Sequence, residues 1–144
     1  VTAKEFAMEL KRGRLIDHVH LRSRDLQAAK AFYSAVFEAL GVPFHDEGPH
    51  LWADEFWIDA GEQSTRVHLA FQATDEAMVQ GFHAAGVKAG GKDNGAPGER
   101  PKYHPGYYAA FLLDPDGNNI EAVYHGPADR SADAVTLTFK MPSV

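Results

Sequence analysis

The sequence predicts an α+β fold in which two paired βαβββ modules form a curved mixed sheet around a cleft, with the helices outside. The chain repeats itself at an offset of 50, which sets His18 on His68, Asp25 on Asp75, Phe32 on Phe82 and Gly41 on Gly91. In each copy a strand-like segment carries the histidine, an Asp stands where a helix begins, an aromatic occupies the same helical face, and a glycine follows. Duplicated βαβββ units account for that order. Size agrees, because 144 residues with 44% hydrophobic and 24% charged side chains can bury an ordinary core without a disulfide or metal staple. The expected division is an N-terminal extension at 1–14, a first module at 15–64, a second at 65–126, and a C-terminal extension at 127–144 with a possible edge strand.

Residues 3–11 read as a short helix capped by Thr2, with Phe6, Met8 and Leu10 among its apolar positions and Gly13 near its end. Residues 15–21 carry the β-branched Ile16 and Val19 among polar neighbours and read as a half-exposed strand. After Asp25 comes the clearest helix: Leu26, Ala29, Phe32, Tyr33, Val36, Phe37 and Leu40 recur at spacings of three and four until Gly41 and Pro43 stop it. Residues 42–60, broken at Gly48-Pro49 and Asp54-Glu55, read as short strands joined by turns. Residues 67–71 are the next strand, and Thr74 or Asp75 caps a second helix carrying Met78, Phe82 and Ala85. The glycine- and proline-rich stretch 90–106 has no apolar run and reads as a long surface loop. Residues 107–113 and 119–124 form a hairpin about Asp114-Pro115-Asp116-Gly117-Asn118. A linker at 126–133 leads to a strand at 135–139, where Val135, Leu137 and Phe139 alternate.

Composition narrows the function classes. Lys plus Arg at 14 against Asp plus Glu at 20 leaves a net charge of -6 with no compact basic block, which disfavours nucleic acid and anionic membranes as partners. With 0 Cys, thiol catalysis and zinc knuckles are excluded. No stretch approaches the roughly 20 apolar residues of a membrane span, and no signal-like apolar core stands near the N-terminus. A soluble protein, cytoplasmic by default, is expected, with the start at Val1 reading as a processed or incompletely represented terminus. The glycines at 90, 91, 95 and 98 do not form a phosphate-binding pattern, and Asp114, Asp116 and Asn118 fit a hairpin turn better than a calcium loop.

His18 and His68 occupy the same register in the two copies, and Glu121 lies on the last strand of the second. Two imidazoles and a carboxylate converging in a cleft would form a facial set with open positions, suited to Fe(II) first and to Mn(II), Ni(II), Co(II) or Zn(II) as well. Each residue also has a plainer reading as surface or core polarity. His20 shares the face of His18, as a pocket-lining residue or a solvent-facing one. His104 and Tyr108 border the long loop and are candidates to donate protons or hydrogen bonds, ahead of Tyr103 and Tyr107. Phe56, Trp57 and Phe111 offer an apolar wall, and Arg22 and Arg24 either steer an anionic substrate or face water.

The stretches IDHVHLRSRDLQAAKAFYSAVFEALG at 16–41, VHLAF at 67–71 and YYAAFLLDPDGNNIEAVYH at 107–125, above all DPDGNNIE, resemble the vicinal-oxygen-chelate superfamily. Glyoxalase I, extradiol ring-cleaving dioxygenases, and bleomycin or fosfomycin resistance proteins are its members. The resemblance spans most of the chain. It implies paired βαβββ modules, frequent homodimers, and divalent-metal chemistry with ligands matching His18, His68 and Glu121. Glyoxalase I adds a carboxylate near the end of its first module, for which Glu55, Asp59 and Glu62 are the candidates and Asp59 the preferred one. In the lyase or isomerase version a carboxylate, Glu121 or Asp59, removes a carbon-bound proton while a metal holds the developing charge. In the dioxygenase version Fe(II) binds the substrate chelate and oxygen together. The alternative is a metal-free protein that sequesters a small molecule, as bleomycin resistance proteins do.

Overall fold

The computed structural model describes residues 5–13, 16–63, 65–128 and 135–142. Its elements run β1 (Glu5–Arg12), β2 (Val19–Ser23), α1 (Leu26–Leu40), β3 (His45–Asp46), β4 (His50–Ala53), β5 (Phe56–Ala60), β6 (His68–Gln72), α2 (Glu76–Lys88), β7 (Lys92–Glu99), β8 (Tyr108–Leu113), β9 (Asn119–Tyr124) and β10 (Val135–Pro142). The sheet orders β2-β5-β4-β3 and β6-β9-β8-β7 are the same topology twice. In each, the first strand lies parallel to the last, and the remaining neighbours are antiparallel. The paired βαβββ modules expected from the repeat are present, as two four-stranded mixed sheets with one helix each.

Both helices start as their sequences require. Asp25 accepts a hydrogen bond from Ala28 N at 3.1 Å and Asp75 one from Met78 N at 2.8 Å, satisfying amides that the first turn leaves unpaired. Gly41 closes α1 at φ 72°, in the left-handed region where glycine carries no Cβ penalty. The apolar residues of α1 are buried in one core with residues of α2 and of both sheets, and α1 packs on α2. Gly86 permits this closeness, since a Cβ there would stand 2.2 Å from Leu112 Cδ1 and 3.1 Å from Val36 Cγ1.

The modules are joined by a buried polar clasp at the Asp114–Asn118 turn. Tyr33 donates to Asp114 Oδ2 at 2.5 Å, Ser23 donates to Asp116 Oδ2 at 2.6 Å, and the Arg24 amide donates to Asp116 Oδ1 at 3.0 Å. Asp114 also accepts from the amides of Asp116 and Asn118 and from Asn118 Nδ2. Burial first, then the neighbouring Asp114, hold the Tyr33 phenol well above its usual range.

Two segments differ from the sequence reading. The helix expected at residues 3–11 is not found: Glu5–Arg12 form β1, which pairs antiparallel with β10 in a separate two-stranded sheet. Phe6, Met8 and Leu10 recur every second residue, the period of a strand rather than a helix. The expected loop at 90–106 contains β7, an edge strand with register irregularities around Gly95 and Gly98. Backbone pairing needs no apolar side chains, and an edge tolerates Pro97 and bulges. The proposed cap Thr2, Leu15, and residues 129–133 of the linker lie outside the described residues. Among the described residues no helix is long and apolar enough to cross a membrane.

Candidate functional site

Alternation along each strand sends one set of side chains toward the helices and the other to the opposite, open face. On the second sheet, the register aligns Ala70 with Glu121 and Phe111 with Glu121, so His68, Glu121 and Phe111 share the open face. His68 Nε2 lies 2.8 Å from Glu121 Oε1. The Tyr107 hydroxyl donates to the other carboxylate oxygen, Glu121 Oε2. Glu121 keeps only 3% of its side chain exposed, whereas His68 keeps 53%. A buried carboxylate is thus held at both oxygens, with an imidazole open to solvent beside it. Burial, then the hydrogen bond to Glu121, push the Tyr107 phenol up, so it stays protonated and remains a donor.

Tyr107 is also where two loops cross. Gly106 and Gly126, at φ 88° and 82°, approach so closely that a Cβ on Gly126 would stand 3.1 Å from Gly106 O. That crossing lays His104 against His125, with Nε2 of the former 2.9 Å from Nδ1 of the latter. The Tyr107 ring meets both imidazoles edge-on.

The first sheet presents a different open face. The registers His20↔Trp57, Trp57↔Trp52 and Trp52↔His45 run one row of rings across all four strands. His45 stacks on Trp52 with centroids 3.9 Å apart, and His50 stacks on Trp57 at 4.4 Å. Glu47 accepts from both Trp52 Nε1 and His50 Nε2 at 2.8 Å, and these bonds hold its carboxyl below the usual range. Asp59 Oδ1 lies 3.0 Å from His20 Nε2 and 3.0 Å from Arg22 Nε, as a close charge cluster. His18 precedes β2, pairs with Asp17 at 2.9 Å, and has 63% of its side chain exposed. With His20, Asp54, Glu55 and Trp57 it lines a cavity of about 270 Å³.

The sequence-derived candidates therefore separate into two groups. His68 and Glu121 are together, and His104 stands behind Tyr107 on the same side. His18 and Asp59 belong to the other sheet. Among the described residues no group of three or more His, Asp or Glu side chains comes together to hold a metal ion within one chain. Tyr108 faces the helix layer, where its hydroxyl accepts from Gln80 Nε2 at 3.0 Å, and Tyr107 is the tyrosine that reaches Glu121. The signal for that was available. The hairpin turn fixes the β8–β9 register, and odd-numbered positions on β8 fall on the face of Glu121.

The register also compares the modules position by position. Val19 pairs with Phe56 and its repeat-equivalent Leu69 pairs with Ile120, so Trp57 is the first module's counterpart of Glu121. Asp59 lies one pleat further along and is engaged by His20 and Arg22. The first sheet thus has an indole where the second has its carboxylate.

Duplicated βαβββ modules with an imidazole–carboxylate pair on an open sheet face define a paired-module class of α+β protein. The sequence profile of the glyoxalase/bleomycin resistance protein/dioxygenase superfamily matches residues 15–122, and the chain belongs to that family. A glyoxalase/bleomycin resistance protein from Albidiferax ferrireducens is 30% identical, with 74% of this chain and 94% of that one covered at a TM-score of 0.64. A glyoxalase/bleomycin resistance protein/dioxygenase family enzyme from Burkholderia phytofirmans is 25% identical, covering 74% and 94% at a TM-score of 0.58. The fold is likewise similar to a lactoylglutathione lyase from Agrobacterium tumefaciens, at 21% identity, 76% and 92% coverage and a TM-score of 0.56. No curated protein sequence gives a significant match.

Proposed function

We propose that this protein is a divalent-metal-dependent enzyme acting on a small substrate with two neighbouring oxygen atoms, and that its site is completed by a second copy of the chain. The observation that carries the reading is the His68–Glu121 pair, whose donor chemistry fits a divalent ion: an imidazole and a buried carboxylate, 2.8 Å apart on an open face. Among the described residues, one chain supplies these two donors together but not a third. In a two-fold dimer whose interface set His18 of one copy beside the His68–Glu121 pair of the other, the isologous contact would build the site twice. When bound, the ion would supply Lewis acidity toward the substrate oxygens. Tyr107 donates to Glu121 Oε2 and so fixes the carboxylate.

Trp57 at the counterpart of Glu121 favours a set of two histidines and one carboxylate over the four-ligand set of glyoxalase I. That set suits Fe(II), and it inclines the chemistry toward dioxygenation rather than lyase or isomerase reactions. The second reading, metal-free sequestration of a small molecule, is favoured by the row of stacked rings on the first sheet, which offers a planar ligand an aromatic wall.

Elemental analysis of untagged protein, followed by anaerobic Fe(II) reconstitution and mass measurement in solution, decides between them. The enzyme reading expects about one metal per chain in a dimer and its loss in both His18→Ala and His68→Ala with the fold retained. Unchanged metal content in both variants would overturn the ligand assignment. No specific metal in native or reconstituted protein would establish the sequestration reading in its place.

A further inference from the structure

At the loop crossing, the Pro105 carbonyl and the His104–His125 contact single out one ring nitrogen. His104 Nδ1 lies 2.8 Å from Pro105 O, and a carbonyl oxygen only accepts, so His104 Nδ1 carries the proton. In the neutral ring Nε2 then holds the lone pair. The contact of 2.9 Å between His104 Nε2 and His125 Nδ1 consequently needs its proton on His125 Nδ1. Neutral His125 is left with an unprotonated Nε2, on the far side of its ring from His104. That nitrogen has no hydrogen-bond partner among the described residues.

His125 also lines a cavity of about 400 Å³ whose wall includes Gln72, Thr74, Val123 and Gly126. This cavity lies at the carboxyl ends of the parallel strands β6 and β9. Gln72 aligns with Val123, and Ala70 with Glu121, so the small side chains Ala70, Ala109 and Val123 form the open-face floor between the cavity and Glu121. An acceptor nitrogen in such a place selects for ligand groups that donate.

We infer that His104 and His125 form a tautomer-locked imidazole pair that makes His125 Nε2 the hydrogen-bond acceptor of a subsite for a hydroxyl-bearing ligand, in the cavity walled by Gln72 and Thr74. His125 touches the ligand, and His104 acts through it as a positioning residue. That the same ligand extends over the floor to the His68–Glu121 pair rests on the function proposed above.

The test is nitrogen NMR of histidine-labelled, chelator-treated protein at pH 8, with catechol as the hydroxylated probe and 1,2-dimethoxybenzene as its donor-free counterpart. The expected spectrum has protonated Nδ1 and unprotonated Nε2 on both His104 and His125. Catechol should shift His125 Nε2, and the dimethoxy compound should not. His104→Phe, which keeps a ring against His125 and Tyr107, should release His125 from this tautomer and weaken catechol binding by up to about tenfold, the worth of one hydrogen bond. A protonated Nε2 on wild-type His125, or equal responses to the two probes, would overturn the inference, and the wild-type spectrum decides this even if the variant misfolds. His68→Ala separates the two proposals. It should remove metal binding while leaving the His125 tautomer and its catechol response intact, and loss of that response with an intact fold would refute a subsite that stands apart from the metal pair.

Discussion

Replacing Tyr33 by Phe removes one oxygen from the clasp that joins the modules. The phenol is fully buried and donates to Asp114 Oδ2 at 2.5 Å. Asp114 would keep its bonds from the amides of Asp116 and Asn118 and from Asn118 Nδ2, at 2.9, 2.8 and 2.8 Å. The carboxylate is therefore weakened rather than stranded, and the loss is that of one hydrogen bond to a charged group, about 1.5–3 kcal/mol. For a chain of this size that corresponds to a fall in Tm of roughly 3–12 °C. The pH dependence carries the sharper signature. Because the folded-state pKa of Tyr33 is raised, its contribution is fully present below the unfolded phenol pKa of about 10 and is lost as pH rises from there through the folded value. Urea unfolding of wild type and variant at pH 7, 9 and 10.5 measures the gap. It should be constant between the first two and smaller at the third. A gap below about 0.5 kcal/mol at pH 7, or one that widens with pH, would refute the assignment of this hydrogen bond as a main tie between the modules.

Two further outcomes are expected. Gly86→Ala should destabilise the protein by about 1–3 kcal/mol, since its Cβ would enter the space of Leu112, whereas Gly81→Ala on the same helix meets nothing within 4 Å and should stabilise by roughly 0.5–1 kcal/mol; thermal melts of both variants check the contrast, and similar shifts would contradict the close approach. At acid pH, the bonds from Trp52 and His50 hold the Glu47 carboxyl below its ordinary value of 4.5, so their contribution is present above that value and disappears as pH falls below it. Tryptophan fluorescence should report a transition with a midpoint below 4.5 that Glu47→Gln abolishes, and a midpoint at or above 4.5 would count against the contact.

How much of this was legible beforehand depended on whether side-chain pattern or backbone pairing decided the element. The spacing from Leu26 to Leu40 defines a helix by itself, and β9 falls at 119–124 because the Asp114–Asn118 turn pins its start. Strand β7 has a sequence, KDNGAPGE, that no periodicity betrays, since its place is set by the β8 backbone. In β1 the period of two was present but was overridden by helix-favouring Ala, Met, Glu and Leu, and its pairing partner lies at the other end of the chain. At the site, His68 and Glu121 were expected together from the family resemblance and the place of Glu121 on the last strand, and they lie 2.8 Å apart. What one chain does not bring together, His18 with that pair, depends on how two sheets sit about packed helices, which no local pattern encodes. Tyr107 was undervalued against Tyr108 because loop proximity was weighed and strand parity was not.

The clasp at the Asp114–Asn118 turn has a consequence for how the duplicated halves behave as a folding unit. Asp116 takes its two hydrogen bonds from the first half, at Ser23 and Arg24, and Asp114 takes one there from Tyr33. A second half folding alone would carry two carboxylates shaped for burial with half their donors missing, and a first half alone would keep the Tyr33 ring against Phe37 and Phe56 but leave its hydroxyl without Asp114. Repetition in the sequence therefore does not give independence in stability: each half finishes the other's interior, and the chain is expected to unfold as one transition rather than two.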